Sequence, residues 1–199
     1  VMDIPYISRT LLVKGIIVPK RSSDSAATYS SIWDNEAGSP LMTYSLYQQK
    51  KLQEVLGDEY HVELAMRYQN PSIDDALVKM EAMLLESITV IPLFPQYASA
   101  TTGSVIDKVM EIMRSWQFIP KINFVSSYYD DPLMIEVIAE HALKHDLASF
   151  DHFLFSYHGL PVRQLGKVHA GGDVKCPDFG CDHCKTEANP YCYLSHCYA

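Results

Sequence analysis

The sequence predicts an α/β fold in which a parallel β-sheet carries helices on both faces. Three observations predict it. Short apolar, β-branched segments recur along the chain, segments of helical spacing separate them, and strand, helix and strand follow one another through three successive steps. A strand buried on both faces reads as a near-continuous apolar run, as ITVIPLF does at 88–94.

Taken in order, residues 1–21 mix apolar runs (Leu11 to Val13, Gly15 to Val18) with Pro5 and Pro19. SDSAATYSSIW, 23–33, predicts a helix with Ser or Asp caps near its start, and GSP at 38–40 breaks it. LMTYSLYQQKKLQEVL, 41–56, predicts a longer helix. YHVELAMRY, 60–68, alternates like a strand, and PSIDDALVKMEAMLLES, 71–87, reads as a helix with proline at its start. A strand at 88–94, a helix at 103–116, a strand at 121–127, a helix at 131–145 capped by Asp130 or Asp131, and a strand at 150–157 complete the pattern. Ligands of such folds bind outside the carboxyl ends of the strands. Those ends are Met66-Arg67-Tyr68, Pro95-Gln96-Tyr97, Tyr128-Tyr129-Asp130 and Tyr157-His158-Gly159, and their rings and hydrogen-bonding groups suit a large, flat, partly charged aromatic ligand.

The 199 residues suffice for one good-sized α/β domain, or for one domain plus part of another. A formal net charge of -8 argues against a nucleic-acid surface, which needs an excess of Lys and Arg. No apolar run approaches ~18 residues, so no transmembrane segment is expected, with peripheral membrane contact left open. The opening VMDIPY has neither the basic start nor the cleavage site of a signal peptide, and a cytoplasmic protein is expected. It also lacks an initiator Met, as a processed chain or a fragment would.

Single residues stand out at the strand ends. His158 sits before Gly159-Leu160-Pro161, where a tight, rigid turn can present an imidazole as a base or metal ligand. The bland alternative is a loop histidine without a role. Arg67, followed by Tyr68, can pair with a carboxylate through two parallel bonds, or with a neighbouring surface carboxylate in a plain salt bridge. FPQYASATTGS, 94–104, is rich in hydroxyls and leads into a helix N-terminus, whose backbone N–H groups attract anions. It lacks the Gly-rich spacing of a dinucleotide site or a P-loop, and an ordinary, well-capped βα loop is the alternative.

The five cysteines, Cys176, Cys181, Cys184, Cys192 and Cys197, lie in one segment with the spacing C-x4-C-x2-C-x7-C-x4-C. An odd count crowded into one segment does not fit a secreted disulfide scaffold. Four thiolates with one to spare suit an iron–sulfur cluster or zinc, with His183 and His196 as further nitrogen donors for zinc.

Four of these stretches, SAATYSSIWDNEAGSPL (25–41), AMRYQNPSI (65–73), PLFPQYASATTGS (92–104) and FLFSYHGLP (153–161), resemble the signatures of ferrochelatases, in the family's order. The resemblance runs essentially from residue 1 to residue 199. It implies the chelatase fold, two Rossmann-like domains with a porphyrin cleft between them. Residues 1–149 would form the first domain without its initial strand, and 150–199 would open the second. It implies insertion of Fe(II) into protoporphyrin IX or coproporphyrin III, with His158 as the catalytic residue that takes pyrrole protons, binds the metal, or both. Arg67 and Tyr68 would lie at the cleft, Lys20 and Arg21 would help hold propionates, and Ser99, Thr101, Thr102 and Ser104 would build the cleft. The segment 176–197 resembles the internal cysteine-rich insertion that binds a [2Fe-2S] cluster in some bacterial members.

Family members also extend beyond both ends of this sequence, and their second domain carries a glutamate facing the histidine. The expectation is an incomplete chain, inactive by itself. Three rivals are weighed: a cobaltochelatase of the same superfamily, a non-enzymatic haem- or metal-binding module built on the cysteines, and a generic doubly wound domain with a structural zinc. Oligomeric state is not readable from the sequence.

Overall fold

Proline shapes the first helical stretch of the computed structural model, which describes residues 6–168 and 191–199. Helix α1 (Tyr6–Leu12) passes through a π segment, Val13–Ile17, into α2 (Val18–Ser30). Pro19, in the first turn of α2, has no N–H to give to the preceding turn, and the amide of Val18 reaches back to the Val13 carbonyl. The apolar run that opens the sequence, with Lys20 and Arg21, is therefore helical, and the helix expected at 23–33 begins earlier and ends at Ser30.

By contact, the chain divides into two units, Val1–Lys79 and Met80–Ala199. In the first, α2 ends in a tight turn. The Asp34 carboxylate accepts the amides of Glu36 (2.8 Å) and Ala37 (2.6 Å), and Asp34 and Gly38 exchange backbone hydrogen bonds. Gly38 has φ +78°, a conformation that glycine adopts without strain, and the Trp33 ring lies in ordinary contact beside it. Helix α3 (Pro40–Leu56) starts on Pro40 and closes on Gly57 at φ +72°. Helix α4 (Ile73–Ala82) has a reciprocal cap: Ser72 Oγ accepts the Asp75 amide at 3.0 Å and donates to the Asp75 carboxylate at 2.6 Å. Ser45, Ile73, Ala76 and Leu77 are the buried side chains of this unit.

The strand expected at 60–68 is not formed. Side-chain amides of α3 take the backbone groups that a ladder would use: Gln49 donates to the Val62 carbonyl, while Gln53 accepts the Val62 amide and donates to the Tyr60 carbonyl. Only an isolated bridge, Met66 with Ser72, remains of it.

The second unit holds the sheet. β1 (Ser87–Val90) pairs in parallel with β2 (Lys121–Phe124), Ile88 opposite Ile122. The crossover between them contains a second π segment, Ser99–Gly103, and α5 (Ser104–Met113), whose Val109 and Met113 join Ile88, Ala98 and Trp116 in the core. The long apolar run after residue 88 yields only a short strand because Pro92 and Pro95 have no amide to donate. Helix α4 ends before the expected residue 87, and Leu84, at φ +52°, turns the chain into β1. Helix α6 (Pro132–Ala142) is capped by Asp131, not Asp130. Short helices α7 (Val162–Leu165) and α8 (Tyr193–Tyr198) follow. No strand forms at 150–157, and residues 151–159 are exposed throughout. A β ladder needs a neighbour, and no third strand joins the sheet among the described residues.

One of the three predicted strand–helix–strand steps is thus laid down as a ladder. The class is as expected: helices and a parallel sheet in an α/β fold.

Candidate functional site

The first unit places four of the expected residues. Lys20 and Arg21 lie on the exposed surface of α2. Arg67 and Tyr68 lie in a loop closed by the Met66 amide, which donates to the Pro71 carbonyl at 2.7 Å, around a cis Asn70–Pro71 bond. The Arg67 guanidinium stands over the Tyr68 ring, 4.7 Å from its centroid. Tyr68 is exposed.

In the second unit, the loops after β1 and β2 are tied together where the Tyr128 amide donates to the Pro95 carbonyl at 3.0 Å. The serine-threonine loop becomes the π segment ahead of α5. The amides of Thr101 and Gly103 both reach the Ala98 carbonyl, at 3.1 and 3.0 Å. Thr101 Oγ1 bonds the same carbonyl at 3.3 Å. A Cβ on Gly103 would come within 3.1 Å of the Tyr97 hydroxyl, so glycine lets that phenol approach the start of α5. Thr102 and Ser104 are buried, and Thr102 Oγ1 has no partner among the described residues. Both are therefore part of the loop's framework, whereas Ser99 borders a small depression with Tyr97, Leu160, Leu165, Tyr191 and Tyr193.

His158 does not follow a formed strand. Its exposed side chain belongs to an irregular segment whose backbone is held where Tyr193 Oη donates to the His158 carbonyl at 2.9 Å. Leu160, two residues on, reaches the same depression as Ser99. The structure thus brings the segment after His158 and the serine-threonine loop together within one unit.

Cys176, Cys181, Cys184 and His183 lie outside the described residues. Cys192 is fully buried at the N-cap of α8, and Cys197 is half-buried in the last turn. Burial pushes the Cys197 thiol up, with a further push from Cys192, and the Tyr193 hydroxyl acts the other way. Cys192 and Cys197 supply two sulfur donors of the type that iron–sulfur or zinc ligation uses. Among the described residues no group of three or more metal-ligating side chains forms.

His196 is a functional candidate in its own right. It is buried, its Nδ1 accepts the Tyr97 amide at 3.1 Å, and its ring stacks on Tyr129 at 3.9 Å between centroids. An Nδ1 that accepts carries no proton, so the neutral ring holds its proton on Nε2. As a zinc ligand it would have only that second nitrogen to offer. Sequence spacing could flag His196 as a donor beside Cys197, but not its partners, one of which is 99 positions away.

The family model described as Ferrochelatase matches residues 1–199. A Ferrochelatase of Legionella pneumophila (strain Corby) is 41% identical over 200 residues, covering 100% of this chain and 57% of the relative. A Ferrochelatase of Pseudomonas fluorescens biotype C is 36% identical, covering 100% of this chain and 58% of the relative. "Ferrochelatase 2" of Shewanella oneidensis is 37% identical over 182 residues, or 88% of this chain and 54% of the relative. The chain therefore spans a little over half the length of the curated relatives it matches. With the family's model matching all of residues 1–199, the chain belongs to the ferrochelatase family.

Proposed function

We propose that the protein to which this chain belongs is a metal chelatase that inserts Fe(II) into a porphyrin to form haem. The observation that carries the reading is the setting of His158: its backbone is fixed by Tyr193 while its side chain is exposed, two residues before Leu160, which borders the loop that leads into α5. Insertion exchanges two pyrrole N–H protons for one Fe(II), so two protons must leave the ring. An exposed imidazole on a fixed backbone can take one and pass it to solvent before the next. The Arg67 fork, steadied on Tyr68, serves a propionate carboxylate, with Lys20 and Arg21 adding positive charge. Ser99 borders the cleft, and Thr101, Thr102 and Ser104 keep its loop in shape.

In this reading residues 1–149 belong to a first chelatase domain and 150–199 open a second. Four of Cys176, Cys181, Cys184, Cys192 and Cys197 hold a [2Fe-2S] cluster, with zinc as the second assignment. The cluster would lend rigidity or redox sensing, outside the insertion step itself. The protein works in the cytoplasm and meets membranes only peripherally. No helix among the described residues is long and apolar enough to cross one.

In the full-length protein, His158→Ala lowers iron insertion by at least about 100-fold and leaves porphyrin affinity within about threefold. Near-normal turnover of that variant would remove His158 from the chemistry. An absorption spectrum of anaerobically purified protein, with iron, sulfide and zinc assayed together, decides the cluster. Thiolate-to-iron bands with equal iron and sulfide support it, and a colourless protein containing zinc assigns the segment to zinc.

A further inference from the structure

Helix α8 has six residues, yet it reaches three separate loops of the second unit. Tyr193 holds the backbone of His158. His196 accepts the Tyr97 amide from the loop after β1, and its ring lies on Tyr129 from the loop after β2, the planes 15° apart. These contacts are anchored in the interior, since His196 is 3% exposed and Cys192, the N-cap, is 0% exposed.

We infer that α8 is a clip through which Tyr193 and His196 position the loops of the site. The inference rests on the role of His158 proposed above. The phenol of Tyr193 has one proton to donate, and it goes to the His158 carbonyl. His196 holds the other loop at Tyr97, because a part-buried amide that loses its acceptor forces the loop to move.

The test uses the full-length protein and two readouts, amide hydrogen exchange and steady-state iron insertion. Tyr193→Phe keeps the ring and removes the hydroxyl that holds the His158 carbonyl. It is expected to speed exchange at residues 158–160 by about three- to tenfold and to lower kcat by a similar factor, with the porphyrin KM within about twofold. His196→Phe keeps the stack on Tyr129, removes the acceptor and speeds exchange of the Tyr97 amide. His196→Asn, whose side-chain oxygen stands near the position of Nδ1, restores it. Exchange at the wild-type rate in Tyr193→Phe overturns the clip, whatever the activity. Faster exchange with unchanged kcat overturns the positioning of His158. If His196→Phe does not fold, Tyr193→Phe decides alone. If the wild-type protein inserts no metal, the proposed function fails, and exchange still decides whether α8 acts as a clip.

Discussion

The Glu63 carboxylate receives His61 Nε2 at 2.9 Å and Lys79 Nζ at 3.1 Å while its own side chain is nearly covered. Burial pushes its pKa up, but the hydrogen bonds from His61 and Lys79 outweigh that, and the carboxyl ends below the usual range. A carboxylate depressed in the folded state contributes stability above its unfolded pKa, near 4.3, and loses it as pH falls through the lower folded value. Because both partners are more exposed than Glu63, the contribution is under about 1 kcal/mol. Glu63→Gln should therefore lower the urea midpoint at pH 7 and match the wild type near pH 3. An equal loss at both pH values would show that the side chain acts through packing and not charge. Glu63 stood inside an alternating stretch and drew no attention from the sequence. Its importance comes from Lys79, sixteen positions on, which α4 returns to it.

At the scale of elements, local chemistry decided what could be foreseen. Pro40, the Ser72–Asp75 cap and the residues before α6 are start signals carried by a few neighbouring side chains, and those helices begin where the signals stand. The Asp131 carboxylate accepts the amides of Leu133 at 2.9 Å and Met134 at 3.3 Å. Asp131→Ala should cost about 1 kcal/mol, and Asp131→Ser much less, in chemical denaturation. A null effect of the alanine variant would mean that proline at the first position suffices to start α6. Strands were less legible because a ladder belongs to two segments at once. At 60–66 the competing amides of Gln49 and Gln53 are supplied by α3, and alternation alone says nothing of them. The motif residues were legible one by one. The clip that joins Tyr97, Tyr129 and His158 was not, since its partners are drawn from four distant stretches of chain.

For the molecule as a whole, the apolar surface left open is the informative quantity. Leu154 is 93% and Phe155 76% exposed in the stretch that the sequence marks as a strand, and α6 has no buried residue although Leu133, Val137 and Ile138 face out. The sheet has two strands, so its edges also offer unpaired backbone groups. Exposed side chains of this size in one continuous segment mark an interface or a core awaiting its other half. The relatives, of which this chain spans a little over half, are long enough to supply one. The 199 residues produced alone should bind an apolar dye strongly, self-associate in sedimentation and unfold over a broad range. The full-length protein should bind little dye and unfold sharply. If the short chain instead sediments as a monomer, ignores the dye and melts cooperatively, the open surface is tolerated as it stands. The segment 153–155 would then be no strand in waiting.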